Sequence, residues 1–296
     1  MEKIKVQNLH KMQKNHKIYV INDVSFTVHS GEIFALTGGA GSGKTVITKT
    51  LQRLQFSDSG TVEFDRDSAG MVIQEQRFEP NHTILQTLWS NARLNKRACA
   101  EPELINILNL LGLSKRREMR IKDLNASRMA RLKIAIAIIA RPAVLIMDAP
   151  FAGMSEYEAR HVRVIFKTLA DRFDTAILLT HNDFSGIEEI FDTTAVIDNG
   201  KIVATESYNN LARRENHLAK TCFHTEAPNL LAKTVTDVFG YKANLFGTSE
   251  VVVSVHPDEA QKIYDVLMEK DVPVDRVTRV NRSIAELFPM LQRGPQ

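Results

Sequence analysis

Gly38-Gly39-Ala40-Gly41-Ser42-Gly43-Lys44-Thr45 follows the apolar run Ile33-Phe34-Ala35-Leu36 and precedes Val46-Ile47-Thr48-Lys49-Thr50-Leu51. The order reads as strand, glycine-rich turn, helix, which is the setting of a P-loop. Gly38, Gly41 and Gly43 reach backbone angles closed to other residues, and successive N–H groups there can curl around a phosphate. The first helical turn, through Val46, adds unpaired N–H groups and the positive end of its dipole. Lys44 would reach the β- and γ-phosphates, and Thr45 would hold Mg²⁺ through its hydroxyl. The stretch therefore predicts a bound nucleoside triphosphate with Mg²⁺. Whether that triphosphate is hydrolysed is a separate question.

A chain of 296 residues, 44% of them hydrophobic, is long enough for one large core and a small second domain. The net charge of +3 is small beside 38 basic and 35 acidic residues, so no field for a nucleic-acid partner is implied. Cys99 and Cys222 are too far apart in sequence to suggest a disulfide framework or a metal site, which suits a reducing cytoplasm. The segment MEKIKVQNLHK has no apolar core and does not read as a signal peptide. Ile134 to Met147 is broken by Arg141-Pro142 and falls short of the ~20 residues of a membrane span.

Working outward, Ile4-Lys5-Val6 and Val24-Ser25-Phe26-Thr27-Val28 alternate as strands, and His29 to Glu32 turn into the P-loop strand. Downstream, Ser59-Gly60 lead into a strand, and Met71-Val72-Ile73 deliver Gln74. Residues 83–140 are helical by pattern, with Leu104, Ile107, Leu108 and Leu111 at helical spacing and Gly112 as a stop. Leu124-Asn125-Ala126-Ser127-Arg128 then open a helix whose apolar face is Met129, Leu132, Ile136 and Ile139. Ser127 reads there as an ordinary N-cap, although Asn125 and Ser127 at a helix start could also offer N–H groups to phosphate, with Arg128 adding charge. Val144 to Met147 form a buried parallel strand ending in Asp148, and Ile177 to Thr180 a second one ending in His181. Val196 to Val203 read as a hairpin about Asn199-Gly200.

This order of motifs resembles the ATP-binding subunit of ABC transporters over about residues 3–205. The resemblance implies a P-loop NTPase of ABC type, a RecA-like mixed sheet with a helical subdomain at about 83–140. It implies that Gln74 touches Mg²⁺ and marks the surface meeting the membrane subunit, that Asp148 orients Mg²⁺ through water, and that His181 senses the γ-phosphate. It also implies an aromatic ring on adenine; Gln13 lies near that position, and the nearest rings are His16 and Tyr19.

The chain departs from the family at the signature, where Leu-Ser-Gly-Gly-Gln is expected and Leu124-Asn125-Ala126-Ser127-Arg128 stands. It departs again where the family places a general-base glutamate, because Ala149 follows Asp148, and where a loop ending in aspartate here ends in Ser155. A positioned base is worth about 10²–10⁴ in rate, so binding should survive while turnover falls. Removing this glutamate is also a common engineered trap, but the altered signature and Ser155 argue that the degeneration is natural.

Residues 206–296 alternate strands and helices and predict a small α+β accessory domain of the ferredoxin-like kind. Arg282-Ser283-Ile284-Ala285-Glu286-Leu287-Phe288 resembles the tail of ABC-2 exporters. The implied assembly is a homodimer or heterodimer of ATP-binding subunits on a membrane permease, at the cytoplasmic face. The alternative is a non-catalytic, ATP-gated scaffold or regulatory subunit of a membrane complex.

Overall fold

The computed structural model describes residues 1–13, 18–94, 100–211, 220–255, 257–280 and 291. His16, Cys99 and the 282–288 tail motif lie outside the described residues. The chain divides into two compact units, Met1–Tyr208 with Met290–Gln296, and Asn209–Pro289.

In the first unit, β1 (Glu2–Gln13) and β2 (Ile18–His29) pair antiparallel, with Ile4 opposite Val28 and Val6 opposite Phe26. With β4 (Ser59–Phe64) they form a three-stranded sheet in the order β2-β1-β4. The larger sheet runs β5 (Ala69–Val72), β6 (Val144–Met147), β7 (Ala176–His181), β3 (Ile33–Thr37), β8 (Thr193–Asp198), β9 (Lys201–Ser207). Neighbours from β5 to β8 are parallel, and β9 returns antiparallel through the Asn199-Gly200 turn. Buried on both faces, β3 and β6 carry continuous apolar side chains instead of an alternating pattern.

One core cluster takes alternate residues of the large sheet, Phe34, Leu36, Val144, Ile146, Leu178 and Ile197. It joins them to Ile47 and Leu51 of α1 (Lys44–Leu51) and to Ile4, Val24 and Val28 of the small sheet. The P-loop helix is thereby clamped by a shared apolar core. The segment between the strands builds α2 (Ile84–Leu94), α3 (Glu101–Leu110), two short 3-10 turns and α4 (Ala126–Ile138). α4 approaches β5 closely, since a Cβ at Gly70 would stand 2.3 Å from the Ala137 carbonyl oxygen. α5 (Glu156–Phe173) buries Val162, Ile165 and Phe166.

In the second unit the order is β10 (Lys220–His224), α6 (Pro228–Phe239), β11 (Ala243–Phe246), β12 (Glu250–Ser254), α7 (Pro257–Glu269), β13 (Arg276–Val280). The strands lie in the order β11-β12-β10-β13 and are antiparallel throughout, the β-α-β-β-α-β arrangement of a ferredoxin-like fold. Phe223, Val251 and Val253 pack on Leu231, Val235, Ile263 and Leu267. The strand β11 is absent from the sequence reading; four residues beside a turn at Gly247 leave little period-2 signal.

Candidate nucleotide site

Parallel pairing puts the C-terminal ends of β5, β6, β7 and β3 side by side on one sheet edge. Gln74, Asp148, His181 and the P-loop leave from those four ends. In register, Val72 pairs with Met147 and Thr37 with His181, and the Asp148 N–H donates to the Val72 carbonyl at 3.2 Å. Ligands of open α/β sheets bind at this kind of edge.

The loop around Gly38 and Gly43 is too close to neighbouring backbone for any side chain. A Cβ at Gly38 would stand 2.2 Å from the Ile197 carbonyl oxygen, and one at Gly43 would stand 2.8 Å from that of Val20. Gly43, at φ 110, is also the N-cap of α1, and no side chain caps that helix. The Val46 N–H turns back to the Gly43 carbonyl at 3.0 Å, and no side chain caps the Lys44 and Thr45 N–H groups ahead of it, which suits an external acceptor. Lys44 is 8% exposed, and its Nζ donates to the Gly38 carbonyl at 2.6 Å, the Gly39 carbonyl at 2.8 Å and the Ser42 hydroxyl at 3.2 Å. All three acceptors are neutral. Burial pulls the Lys44 pKa below its ordinary 10.5, with the Asp148 charge opposing that shift. A buried ammonium held by neutral oxygens beside an uncapped helix start fits a phosphate chain.

Asp148 is 4% exposed, and its Oδ1 accepts from the Thr180 hydroxyl at 2.8 Å and the Thr45 hydroxyl at 3.4 Å. Among the described residues no group of three His, Cys, Asp or Glu side chains is placed to hold a metal by itself. One hydroxyl and one carboxylate suit Mg²⁺, which commonly takes its remaining ligands from phosphates and water. Thr180, which the sequence reading did not assign a role, also accepts from the Ala149 N–H at 2.8 Å. Its signal was a hydroxyl closing a buried apolar run. Ala149 sits at φ 44 and offers no proton acceptor.

His181 Nδ1 lies 3.1 Å from the Asp183 carbonyl, so that nitrogen carries the proton and Nε2 donates only when the ring is charged. Gln74 is exposed. Its carbonyl and that of Ile73 (at 3.0 Å) both accept from the buried Lys133 Nζ on α4. Glu75 pairs with Lys49 at 2.8 Å, and Gln52 Nε2 donates to the Val72 carbonyl at 3.2 Å, so α1 and the Gln74 segment are tied together. Lys133 was also unassigned, although it is the lone charge in Leu132-Lys133-Ile134-Ala135-Ile136. Gln13 lies at the end of β1, opposite Ile18, and the Tyr19 ring meets His10 edge-on at 5.9 Å.

At α4 the structure corrects the reading of Ser127 as N-cap. Asn125 holds that place, its side chain accepting from the Arg128 N–H at 3.0 Å, and the chain is already helical at Ala126. Asn and Ser cap about equally well, so residue type alone could not choose between them. Ser155 is the N-cap of α5, with Glu158 closing a capping box.

The family model for ABC transporters matches residues 21–152. A putative ABC transporter ATP-binding protein of Treponema denticola is 28% identical over 193 residues, 62% of this chain but 39% of that protein. The chain thus spans well under half of that relative. An uncharacterized ABC transporter ATP-binding protein of Methanocaldococcus jannaschii is 30% identical over 215 residues, covering 72% of this chain and 80% of the relative. Among solved structures, a dimeric bacterial ABC transporter cassette superposes with a TM-score of 0.64 at 18% identity, over 69% of this chain and 98% of that one.

Proposed function

We propose, because this chain belongs to the family of ABC transporter ATP-binding proteins, that it couples ATP binding and dimer closure to a membrane permease while hydrolysing ATP weakly or only with a partner's help. The observation that carries the second half is Ala149. It follows the buried Asp148 at the place of the expected base, and its N–H is spent on Thr180. That N–H steadies the Thr180 hydroxyl, which donates to Asp148, but the Ala149 methyl cannot take a proton from water.

The chain's own groups divide the remaining work. Gly38 to Val46 cradle phosphate, Lys44 supplies positive charge, and Thr45 with Asp148 would hold Mg²⁺, reached by Gln74. His181 stands at the adjacent strand end as the γ-phosphate sensor. ATP, when bound, supplies a phosphoanhydride whose charge Mg²⁺ offsets. Adenine preference rests on the family alone.

The superposed bacterial cassette is a dimer, which supports the same assembly here. In that arrangement each nucleotide lies between one subunit's P-loop and the other's signature. Two copies of this chain would combine two sites lacking the base with two altered signatures. A complete partner would bring one base but would still use Asn125 to Arg128. Among the described residues no helix is long and apolar enough to cross a membrane. We place the chain at the cytoplasmic face of a separate permease, of ABC-2 type on the strength of its tail motif, with 206–296 as an accessory domain.

The second reading, a non-catalytic ATP-gated scaffold, is favoured by the side-chain cap on α4. Asn125, at the serine position of the signature, turns its side chain back onto the Arg128 N–H of its own helix.

ATP binding and turnover of the chain, of Ala149→Glu and of Lys44→Ala test the proposal. Glutamate adds no backbone strain that alanine at φ 44 does not already carry, since both have a Cβ. We expect binding by the parent, none by Lys44→Ala, and about 10²–10⁴-fold more turnover in Ala149→Glu. Parent turnover comparable to that of an intact family member overturns weak hydrolysis. A silent Ala149→Glu with intact binding makes the altered signature or a missing partner the limit.

A further inference from the structure

Ser127 and Ser155, which stand where the family pattern has glycine and aspartate, lie on different helices but bind the same carboxylate. Glu158 Oε1 accepts from the Ser127 hydroxyl at 2.9 Å and from Arg131 Nη2 at 2.9 Å. Its Oε2 accepts from the Ser155 N–H at 3.0 Å and from the Ser155 hydroxyl at 2.9 Å. These bonds, that of the Ser155 backbone foremost, hold the Glu158 carboxyl below the usual carboxylate range.

Two further contacts extend the junction. Arg131 Nη1 donates to the Leu111 carbonyl at 3.1 Å, and His161 Nε2 to the Leu110 carbonyl at 2.8 Å, so the end of α3 is held by α4 and α5 together. Gly153, at φ 76, brings the loop after Asp148 so close to α4 that a Cβ there would stand 2.7 Å from the Ala126 Cβ. A glycine in this loop and an alanine in the signature segment thus fit each other.

We propose that Glu158 is a positioning residue that locks the first turn of α4 to the loop running from Asp148 to Ser155, so that the signature segment and the Mg²⁺-side loop move as one body. The proposal rests on the dimer reading above, in which the α4 start faces a second subunit's nucleotide. Glu158 then sets how well that start is presented, without touching the nucleotide of its own subunit. A helix cap alone would need only the Ser155 contacts. The bonds to Ser127 and Arg131 are what a lock adds.

The test uses the full chain as Glu158→Gln, Ser127→Ala and Ser155→Ala. Without nucleotide, amide exchange of residues 125–131 should rise about tenfold in Glu158→Gln and in Ser127→Ala, the loss of roughly one charge-assisted bond. Changes confined to 155–160 would leave Glu158 as a cap and overturn the lock. With ATP, self-association of Glu158→Gln and Ser127→Ala should weaken by about tenfold against the parent. Equal self-association overturns the positioning role even if exchange changes. A parent chain that binds ATP and does not self-associate sinks the homodimer reading and the positioning role with it, and a parent that binds no ATP sinks the proposed function. Parent association with unaltered variants sinks the inference alone.

Discussion

Lys44 shows how burial tunes a single charge for its task. Its amine is enclosed by its own loop carbonyls, and desolvation lowers its pKa from 10.5. As pH rises through that lowered value, the folded chain gives up the proton while an unfolded chain keeps it up to 10.5. The unfolded state then binds more protons, so this residue's contribution to stability rises with pH across the interval. Phosphate affinity moves the other way, because the neutral amine no longer attracts an anion. ATP affinity of the chain should therefore fall with rising pH from a point below 10.5. In Lys44→Arg, weaker overall, the fall should flatten because a guanidinium stays charged. A parent profile flat up to that pH would show that Lys44 is not the charge in use.

At the scale of elements, α4 is held at both ends of the site. Asn125 caps its start, and Lys133, two turns on, donates to the first carbonyls of the segment leaving β5. Burial alone lowers the Lys133 pKa, so the contact carries a desolvation penalty that its two acceptors offset. In Lys133→Met the stem still packs, but the Ile73 and Gln74 carbonyls lose their donor, at a cost of about 1–3 kcal/mol. A lower denaturant midpoint with an unchanged slope, and faster exchange at 73–76, would report that cost. An unchanged midpoint would mean that water replaces the amine without penalty.

The same element marks how far the sequence could be read. The runs Ile33-Phe34-Ala35-Leu36, Val144 to Met147 and Ile177 to Thr180 announced buried parallel strands, because apolar side chains on both faces leave no alternation. Each ends in a polar group, which places Asp148 and His181 at one sheet edge. The capping residue of α4, the Lys133 bridge and the convergence on Glu158 were not legible, since each depends on which helix comes to rest against which. Ser127 and Glu158 are 31 residues apart in sequence, and no periodicity links them. The edge strand β11 was lost for a different reason: it is four residues long beside a turn, below the length at which alternation is a signal.

At the scale of the molecule, each of the two units has an apolar core of its own. Phe34, Ile47, Ile146 and Leu178 belong to one, and Phe223, Leu231, Val251 and Ile263 to the other. The P-loop, Asp148 and His181 all belong to Met1–Tyr208. A ligand that binds only the folded form stabilises the cooperative unit containing its site, by about 2.7 kcal/mol at a hundred times its Kd. Calorimetry of the full chain should accordingly resolve two transitions, of which Mg²⁺-ATP raises one and leaves the other where it stands. In Lys44→Ala neither should move. If ATP raised both transitions together, the second unit would be energetically coupled to the nucleotide site. The second unit would then respond to the nucleotide held by the first.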